Sequence, residues 1–436
     1  MKIIQISLLA VCCAVVSSCF QPSAVTTTSN DFLSFAASEG NASDANLIKW
    51  RQAVERDPKS VRSINQLGEG LLQKGRETGD IEWYVKSKAA FEAAHALDAD
   101  DWRTLSNLAW ISTVYHDFQS AIKFANQSLE VRPENAQAYG ILTDSHLELG
   151  HYEDAAETCQ KMIDIHPSLA SYSRAAQVRV IYGNNQGAIE MYKRAIESGA
   201  QFPENVAWCR TMMGDLHVKT GALRSAEEVY RTVLRGNPQN RLALAGMGRI
   251  SVAKKDIHSA VEYFEQATQG AAPPSFLYEL GELYKVLGKD SDANRAFTRF
   301  TDRLAEYRKA GIGGDEVMRI TYWLDCGTNQ KEALALAKSE VEQHKNIPTY
   351  TALAWAYAAN GVPKDATRAA EQALRTGVQD PITLYRLAKV YEMCGDRRRA
   401  RTLANAALGM NSGFHAKFAD DAREILGAAK VVSSAR

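Results

Sequence analysis

The segment 274–297 carries the pattern that most constrains how this chain can fold. It reads PSFLYELGELYKVLGKDSDANRAF and sets the small residues Gly281 and Ala293 among larger ones such as Tyr284 and Phe297. Small residues at this spacing suit two helices that cross at close range, while the large residues interlock with neighbouring helices. The same pattern recurs along most of the chain, which predicts a stack of helical hairpins.

The pattern repeats every 34 residues. Pro133 and Pro167 are 34 residues apart, and each follows an apolar periodic run at the point where a helix should end. We count about ten units over roughly 45–411, and these units resemble tetratricopeptide repeats (TPR). The resemblance implies an all-α superhelical solenoid of about ten helix-turn-helix repeats, closed by a C-terminal capping helix.

A glycine-rich break, GIGG at 311–314, divides the predicted solenoid. In the first part, the spacing from Leu67 to Phe91 exceeds that of a standard repeat, so we expect the turn around 78–83 to bulge. The predicted organisation is a lipoprotein signal peptide at 1–18, a lipidated N-terminus and flexible tether at 19–44, a TPR array of about seven repeats at 45–311, a second array of about three repeats at 312–411, and a capping helix and tail at 412–436.

The first residues predict export and attachment to a lipid. A lysine at position 2 precedes an apolar run at 3–16, and the small residues of VSSC at 16–19 follow; this order is typical of an export signal. VSSC resembles the lipobox of bacterial lipoproteins, although the commonest form has Leu at its first position. The resemblance implies cleavage before Cys19 and acylation of that cysteine. The alternative is an ordinary signal peptide with an incidental cysteine.

The residue after the acylated cysteine bears on location. In bacterial lipoproteins of this kind, Phe20 in place of Asp implies sorting to the outer membrane. We therefore expect a protein of the bacterial cell envelope that is anchored by lipid in the outer membrane and faces the periplasm. Two or three acyl chains are enough for stable anchoring.

The first helices of TPR hairpins line the inner surface of the superhelix, so the resemblance also predicts a binding groove. Aromatic and Arg side chains are the usual anchors of an interface. By register, the projecting residues are Arg103, Asn107, Trp110, Asp144, Arg174, Asp215, Arg249, Tyr278 and Glu282, and in the second array Arg319, Tyr322, Trp355, Tyr385, Arg386 and Lys389. The alternative is that residues such as Trp110 and Trp355 only pack within their repeats.

Catalytic and metal-binding signatures give no positive indication. His146 and His151 with Asp144 could be drawn as a metal site, but their spacing matches no zinc pattern, so we expect packing roles and no metal or cofactor. Neither a Gly-x-Ser-x-Gly motif nor an HExxH motif occurs. Lys+Arg and Asp+Glu number 51 each, a balance that favours no nucleic-acid partner.

Two functional hypotheses follow from these sequence patterns. The first is a membrane-anchored TPR scaffold that mediates protein–protein interactions in an envelope assembly, secretion or surface-structure system. The second is a binder of an envelope or extracellular polysaccharide, or of peptidoglycan, through the superhelical groove. An enzyme would be a third class, and no motif supports it.

Overall fold

The computed structural model describes residues 31–36, 42–199, 203–314 and 316–427. Throughout these ranges the regular structure is helical, which confirms the predicted all-α class. The predicted signal peptide and Cys19 lie outside the described residues. None of the helices within the described ranges combines the length and the apolar character needed to cross a membrane.

Ten helical hairpins follow one another along the described chain. Their first helices are α2 (Val61–Thr78), α4 (Trp102–Val114), α6 (Ala136–Leu149), α8 (Leu169–Ile181), α10 (Pro203–Lys219), α12 (Arg241–Ala253), α14 (Pro274–Val286), α16 (Glu316–Asp325), α18 (Ile347–Ala359) and α20 (Pro381–Met393). Their second helices are α3 (Ile81–Leu97), α5 (Phe118–Val131), α7 (Tyr152–Ile165), α9 (Asn185–Ser198), α11 (Leu223–Gly236), α13 (Ile257–Ala267), α15 (Asp290–Lys309), α17 (Gln330–Gln343), α19 (Pro363–Leu374) and α21 (Arg397–Met410).

One helix lies at each end of this stack. Helix α1 (Ala42–Arg56) packs on α2, and α22 (Phe418–Leu426) packs on α20 and α21. The count of hairpins and the terminal α22 confirm the predicted solenoid of about ten repeats with a C-terminal capping helix. Each hairpin packs against the next, because a single hairpin cannot bury both of its faces.

Glycines permit the two helices of several hairpins to cross closely. A Cβ atom added at Gly281 would lie 2.4 Å from Cε1 of Phe297, well inside van der Waals contact. Gly68 stands in the same relation to Phe91, at 2.4 Å. The glycine of the first helix therefore receives an aromatic ring from the second helix of the same hairpin, whereas the sequence pattern predicted that the large residues pack against neighbouring hairpins.

The turn at 78–83 does not bulge as expected. Helix α2 continues to Thr78 and α3 begins at Ile81, so only Gly79 and Asp80 connect them. Gly79 has a φ of 72°, and the Asp80 carboxylate accepts a hydrogen bond from the first turn of α3. The extra residues lengthen both helices because a left-handed glycine and an N-cap close the turn without further chain.

Part of the predicted tether at 19–44 is folded. Phe32 is only 2% exposed, and the Phe35 ring meets the Trp83 ring edge-on at 5.8 Å. Arg51 Nη1 also donates a hydrogen bond to the Phe35 carbonyl over 3.0 Å. Residues 31–36 therefore cover the start of the stack. Burial of their apolar side chains is favourable, and a free tether would leave those side chains in water.

The solenoid winds so tightly that its successive turns touch, and we call this line of contact the seam. At the seam, the turn inside one hairpin meets the loop that leads into the sixth hairpin after it. For the fifth hairpin, the corresponding loop leads into the capping helix α22. The hydrogen bonds that show this run from Gly313 N to Tyr115 O (3.3 Å), Lys345 N to Leu149 O (3.1 Å), Asn185 Nδ2 to Gln379 O (3.0 Å) and Asn411 Nδ2 to Val218 O (2.7 Å).

The glycine-rich break at 311–314 belongs to the seam. A Cβ atom at Gly314 would lie 2.3 Å from the imidazole of His116, which sits in the turn between α4 and α5. Gly314 also has a φ of 88°, a conformation that side chains with a Cβ rarely adopt. The glycines thus end α15 and let the next superhelical turn approach the first.

Candidate binding channel

One superhelical turn encloses a channel with a volume of about 1510 Å³. The first helices from α2 to α10 supply most of its wall, and the loops before α12 and α14 complete it. Five of the predicted groove residues line this channel, namely Arg103, Asn107, Trp110, Asp144 and Arg174. The register of the first helices is what brings them to one surface, because equivalent positions in stacked hairpins face the same side.

Neighbouring first helices are cross-linked along the channel wall. Arg103 Nε lies 3.0 Å from Glu69 Oε1, and Asn107 Nδ2 donates to the same oxygen over 3.0 Å. Glu69 belongs to α2 and the other two residues to α4. These polar side chains therefore hold the neighbouring helices α2 and α4 together and are not free for a ligand.

A second cross-link joins α6 to α8. Arg174 donates through Nε and Nη2 to the two carboxylate oxygens of Asp144, at 2.9 Å and 2.6 Å, and through Nε to the Gly140 carbonyl at 3.0 Å. Burial alone would lower the pKa of Arg174, but Asp144 raises it by a larger amount. This bidentate pair holds the two side chains in one geometry across the hairpin boundary.

Other groups on the wall remain open to the channel. The Trp110 ring is half-buried, and the Arg76 guanidinium stands 5.3 Å from its centroid. Trp208 is also half-buried and lines the same channel. Desolvation in the channel wall, and then the nearby Asp144 charge, raises the pKa of Glu148. A ligand in the channel would meet two indoles and a carboxylate that readily accepts a positive partner.

Asp215 and Arg249 lie just beyond the channel and form a network across three hairpins. Arg249 donates to Asp215 over 3.2 Å and to Glu279 over 2.7 Å. The Tyr230 hydroxyl donates to Asp215 over 2.6 Å, and burial followed by the Asp215 charge raises the pKa of that phenol. These predicted groove residues thus join α10, α12 and α14 to one another.

Tyr278, Glu282 and Tyr322 lie where the first seven hairpins meet the last three. The Tyr278 ring packs 6.3 Å from Tyr322, and its hydroxyl donates to Asp325. Desolvation, and then the Asp325 charge, raises the pKa of Glu282. Tyr278 therefore packs and hydrogen-bonds within this junction, and Glu282 is an acidic residue near Tyr278.

The other predicted residues of the second array are held by neighbouring side chains. Arg386 pairs with Asp325 at 3.0 Å and stands 5.0 Å from the Trp355 centroid. Arg319 stands 5.3 Å from the centroid of Trp323. The Tyr385 hydroxyl donates a hydrogen bond to Asp421 over 2.9 Å. Lys389 donates one to Glu392 over 2.7 Å.

Sequence reasoning missed Glu69, Glu148, Trp208, Arg241 and Tyr307, which also line the channel. Glu69 directly follows the crossing glycine of its hairpin, and this position is a signal that could have found it. Arg241 and Tyr307 come from hairpins near the end of the superhelical turn. No local pattern shows that the turn brings them back to the channel.

Comparison with known proteins connects this architecture to a repeat family. Segments 116–170 and 211–276 match the family model described as "Tetratricopeptide repeat". Cellulose synthase 1 operon protein C of Komagataeibacter xylinus is 24% identical over 186 residues, which are 41% of this chain and 13% of that protein. Anaphase-promoting complex subunit 7 of Arabidopsis thaliana is 22% identical over 209 residues, 48% of this chain and 36% of that protein. The chain thus spans well under two thirds of the length of these relatives.

A solved structure extends the likeness to most of the chain. The human IFIT1 dimer with m7Gppp-AAAA is 14% identical, with 76% of each chain covered and a TM-score of 0.50. At this level of identity the likeness concerns the fold alone.

Proposed function

Because the chain folds as an all-α TPR solenoid, we propose that it is a scaffold that holds a segment of a partner protein in its channel. TPR solenoids are in general scaffolds without catalytic activity, and their repeats bind other proteins. The observation that carries the proposal is the channel itself, which collects five independently predicted groove residues within one superhelical turn.

The chemistry of the channel favours an extended peptide with a basic side chain. Trp110 and Trp208 offer apolar faces, and Glu148 offers a carboxylate that attracts a Lys or Arg. Side-chain amides on the wall, such as those of Gln137 and Gln177, suit the backbone hydrogen-bonding groups of an extended segment. Aromatic anchors in a desolvated pocket are the usual source of affinity in such interfaces.

The proposal includes attachment to the bacterial cell envelope through acylated Cys19. The support is the lipobox-like VSSC at 16–19 after an apolar run. In this position the scaffold would serve an envelope assembly, secretion or surface-structure system, facing the periplasm from the outer membrane. Replacement of Cys19 by Ala should release the protein from the membrane fraction, and a variant that remains membrane-bound would contradict the anchor.

Crosslinking in the native host followed by affinity purification tests the scaffold. Trp110→Ala should reduce recovery of the partner protein strongly, because it removes an aromatic anchor from the channel. Trp323→Ala is a matched control, since Trp323 also lies 5.3 Å from an Arg guanidinium but is not part of the channel wall. Equal recovery by the two variants would contradict binding in the channel.

A polysaccharide or peptidoglycan ligand is the second candidate. A channel wall that offers both indole rings and carboxylates, such as those of Trp110 and Glu148, is suited to stacking on and hydrogen-bonding to sugars. A relative named for a cellulose synthase operon adds weight to this candidate. Recovery of glycan without any protein partner in the same purification would favour it over the scaffold.

A further inference from the structure

Three potential metal ligands meet in the turn between α6 and α7. His146 lies in the last turn of α6, His151 is the N-cap residue of α7, and Asp154 lies in the first turn of α7. One potential ligand atom from each residue lies within 4.8 Å of the other two. The sequence pattern paired the two histidines with Asp144 instead, but Asp144 is occupied by Arg174.

The hydrogen bonding of this cluster is incomplete. Nδ1 of His146 is buried and has no hydrogen-bond partner among the described residues. His151, the N-cap residue of α7, makes no side-chain capping bond, so its imidazole is not engaged by the helix N-terminus. Buried polar atoms in folded proteins nearly always have a partner, so the orphaned imidazole nitrogen indicates a missing one.

We propose that His146, His151 and Asp154 form a binding site for a divalent transition metal of the zinc class. Two imidazoles and one carboxylate are a donor set that Zn²⁺ accepts, with water in the remaining position. Metal-to-ligand distances in such sites are about 2.0–2.2 Å. His151 and Asp154 are exposed, so rotation of their side chains can close the cluster to this size.

The site would stabilise a turn of the seam. Gly150, between the two histidines, accepts a hydrogen bond from Arg375 Nη2 over 2.9 Å. Tyr152, directly after His151, accepts one from the Ile347 amide over 2.8 Å. A metal bound across this turn ties the end of α6 to the start of α7, so it holds the turn in the shape that the next superhelical turn contacts.

Isothermal titration of the untagged protein with zinc chloride tests the site. We expect one zinc ion to bind per chain, and each of the variants His151→Ala and Asp154→Asn to bind it at least tenfold more weakly. Circular dichroism checks that the variants are folded, which is expected because both side chains are exposed.

His217→Ala is the matched control. His217 lies in the last turn of α10 at the position that corresponds to His146, but Ala222 and Ser225 replace the other two ligands there. This variant should bind zinc with wild-type affinity. Absence of binding by the wild type, or unchanged affinity in both His151→Ala and Asp154→Asn, would overturn the proposal.

A spectroscopic readout separates coordination from a merely structural role. Co²⁺ should give visible ligand-field absorption with the wild type and lose it when zinc is added. The His151→Ala variant should lack that absorption. A Co²⁺ spectrum that is the same in wild type and variant would place the metal elsewhere and overturn the assignment.

Discussion

The turns inside the hairpins fall into two groups that their residues alone do not distinguish. Gly150 and Gly361 both end a first helix with positive φ, at 77° and 70°. A Cβ atom at Gly150 would lie 2.2 Å from the Lys345 carbonyl oxygen, whereas one at Gly361 would meet nothing within 4 Å. Glycine thus permits the backbone conformation at both of these turns, and it permits close approach between superhelical turns only at the seam.

The largest expected effect comes from adding a methyl group at a seam turn. Gly361→Ala should cost about 1–2 kcal/mol, because it places a Cβ in the left-handed conformation. Gly150→Ala carries that cost and adds about 1–3 kcal/mol of steric overlap with the backbone at Lys345. Urea unfolding of the two variants measures the difference. Equal losses would show that the seam is not formed in solution.

A substitution at a helix crossing inside a hairpin gives a loss of stability that does not depend on the seam, and the seam variants can be compared with it. Gly281→Leu should cost about 1–3 kcal/mol, because its side chain would collide with Phe297. Gly409 is its control, since it is also helical and has open space around the position of a Cβ. Gly409→Leu should leave the thermal melting temperature unchanged or raise it. An unchanged melting temperature for Gly281→Leu would contradict the register of the hairpins.

An ion pair at the seam should have a smaller, pH-dependent effect. Lys219 Nζ lies 2.8 Å from Asp380 Oδ2, and Lys219→Met should cost about 1 kcal/mol at pH 7. Burial raises the pKa of Asp380, but the Lys219 charge and the hydrogen bonds from Lys219 and Thr383 together outweigh it, so the pKa is lowered. Asp380 in turn raises the pKa of Lys219.

The sign of this pH dependence follows from the two shifts. A lowered carboxyl pKa stabilises the fold above the unfolded value of about 3.9, and this contribution disappears as the pH falls through the folded pKa. The difference between wild type and Lys219→Met in urea should therefore shrink towards pH 3. A difference that is constant from pH 7 to pH 3 would show that the pair does not act across the seam.

The smallest effect should come from relieving strain. Lys255 has a φ of 64° in the turn between α12 and α13, so Lys255→Gly should stabilise the fold by about 0.5–1 kcal/mol. His116 has a φ of 56° but lies at the seam, where its imidazole packs against Gly314 of the next superhelical turn. His116→Gly gains the same relief and loses this packing, so its melting temperature should not rise. A matching rise in both variants would argue against the seam contact.

The sequence predicts the hairpins because their determinants are local. The 34-residue period and the small residues Gly281 and Ala293 specify which helices cross and near which residues. Several hydrogen bonds of the seam join residues 193–198 positions apart, as between Asn411 and Val218 or between Asn346 and Glu148. Such contacts depend on small rotations summed over six hairpins, and no motif in either segment indicates them.

The candidate channel was predictable to a similar extent. Arg174 and Asp144 were both identified as groove residues from their register, but their bidentate pairing depends on the angle between adjacent hairpins. Trp208 was missed although it stands on a first helix, because α10 begins at Pro203 after an irregular connection. Wall residues from distant hairpins, such as Tyr307, required the superhelical winding itself.

The seam also governs how a partner could enter the channel. Where successive turns of a helical wall touch, as between Lys345 and Leu149, a segment cannot simply be laid into the groove from the side. A chain with a free end can thread along the axis, whereas an internal loop must wait until contacts between the turns part. Selectivity could then rest on the topology of the partner as much as on its side chains, with slow release once the segment is enclosed.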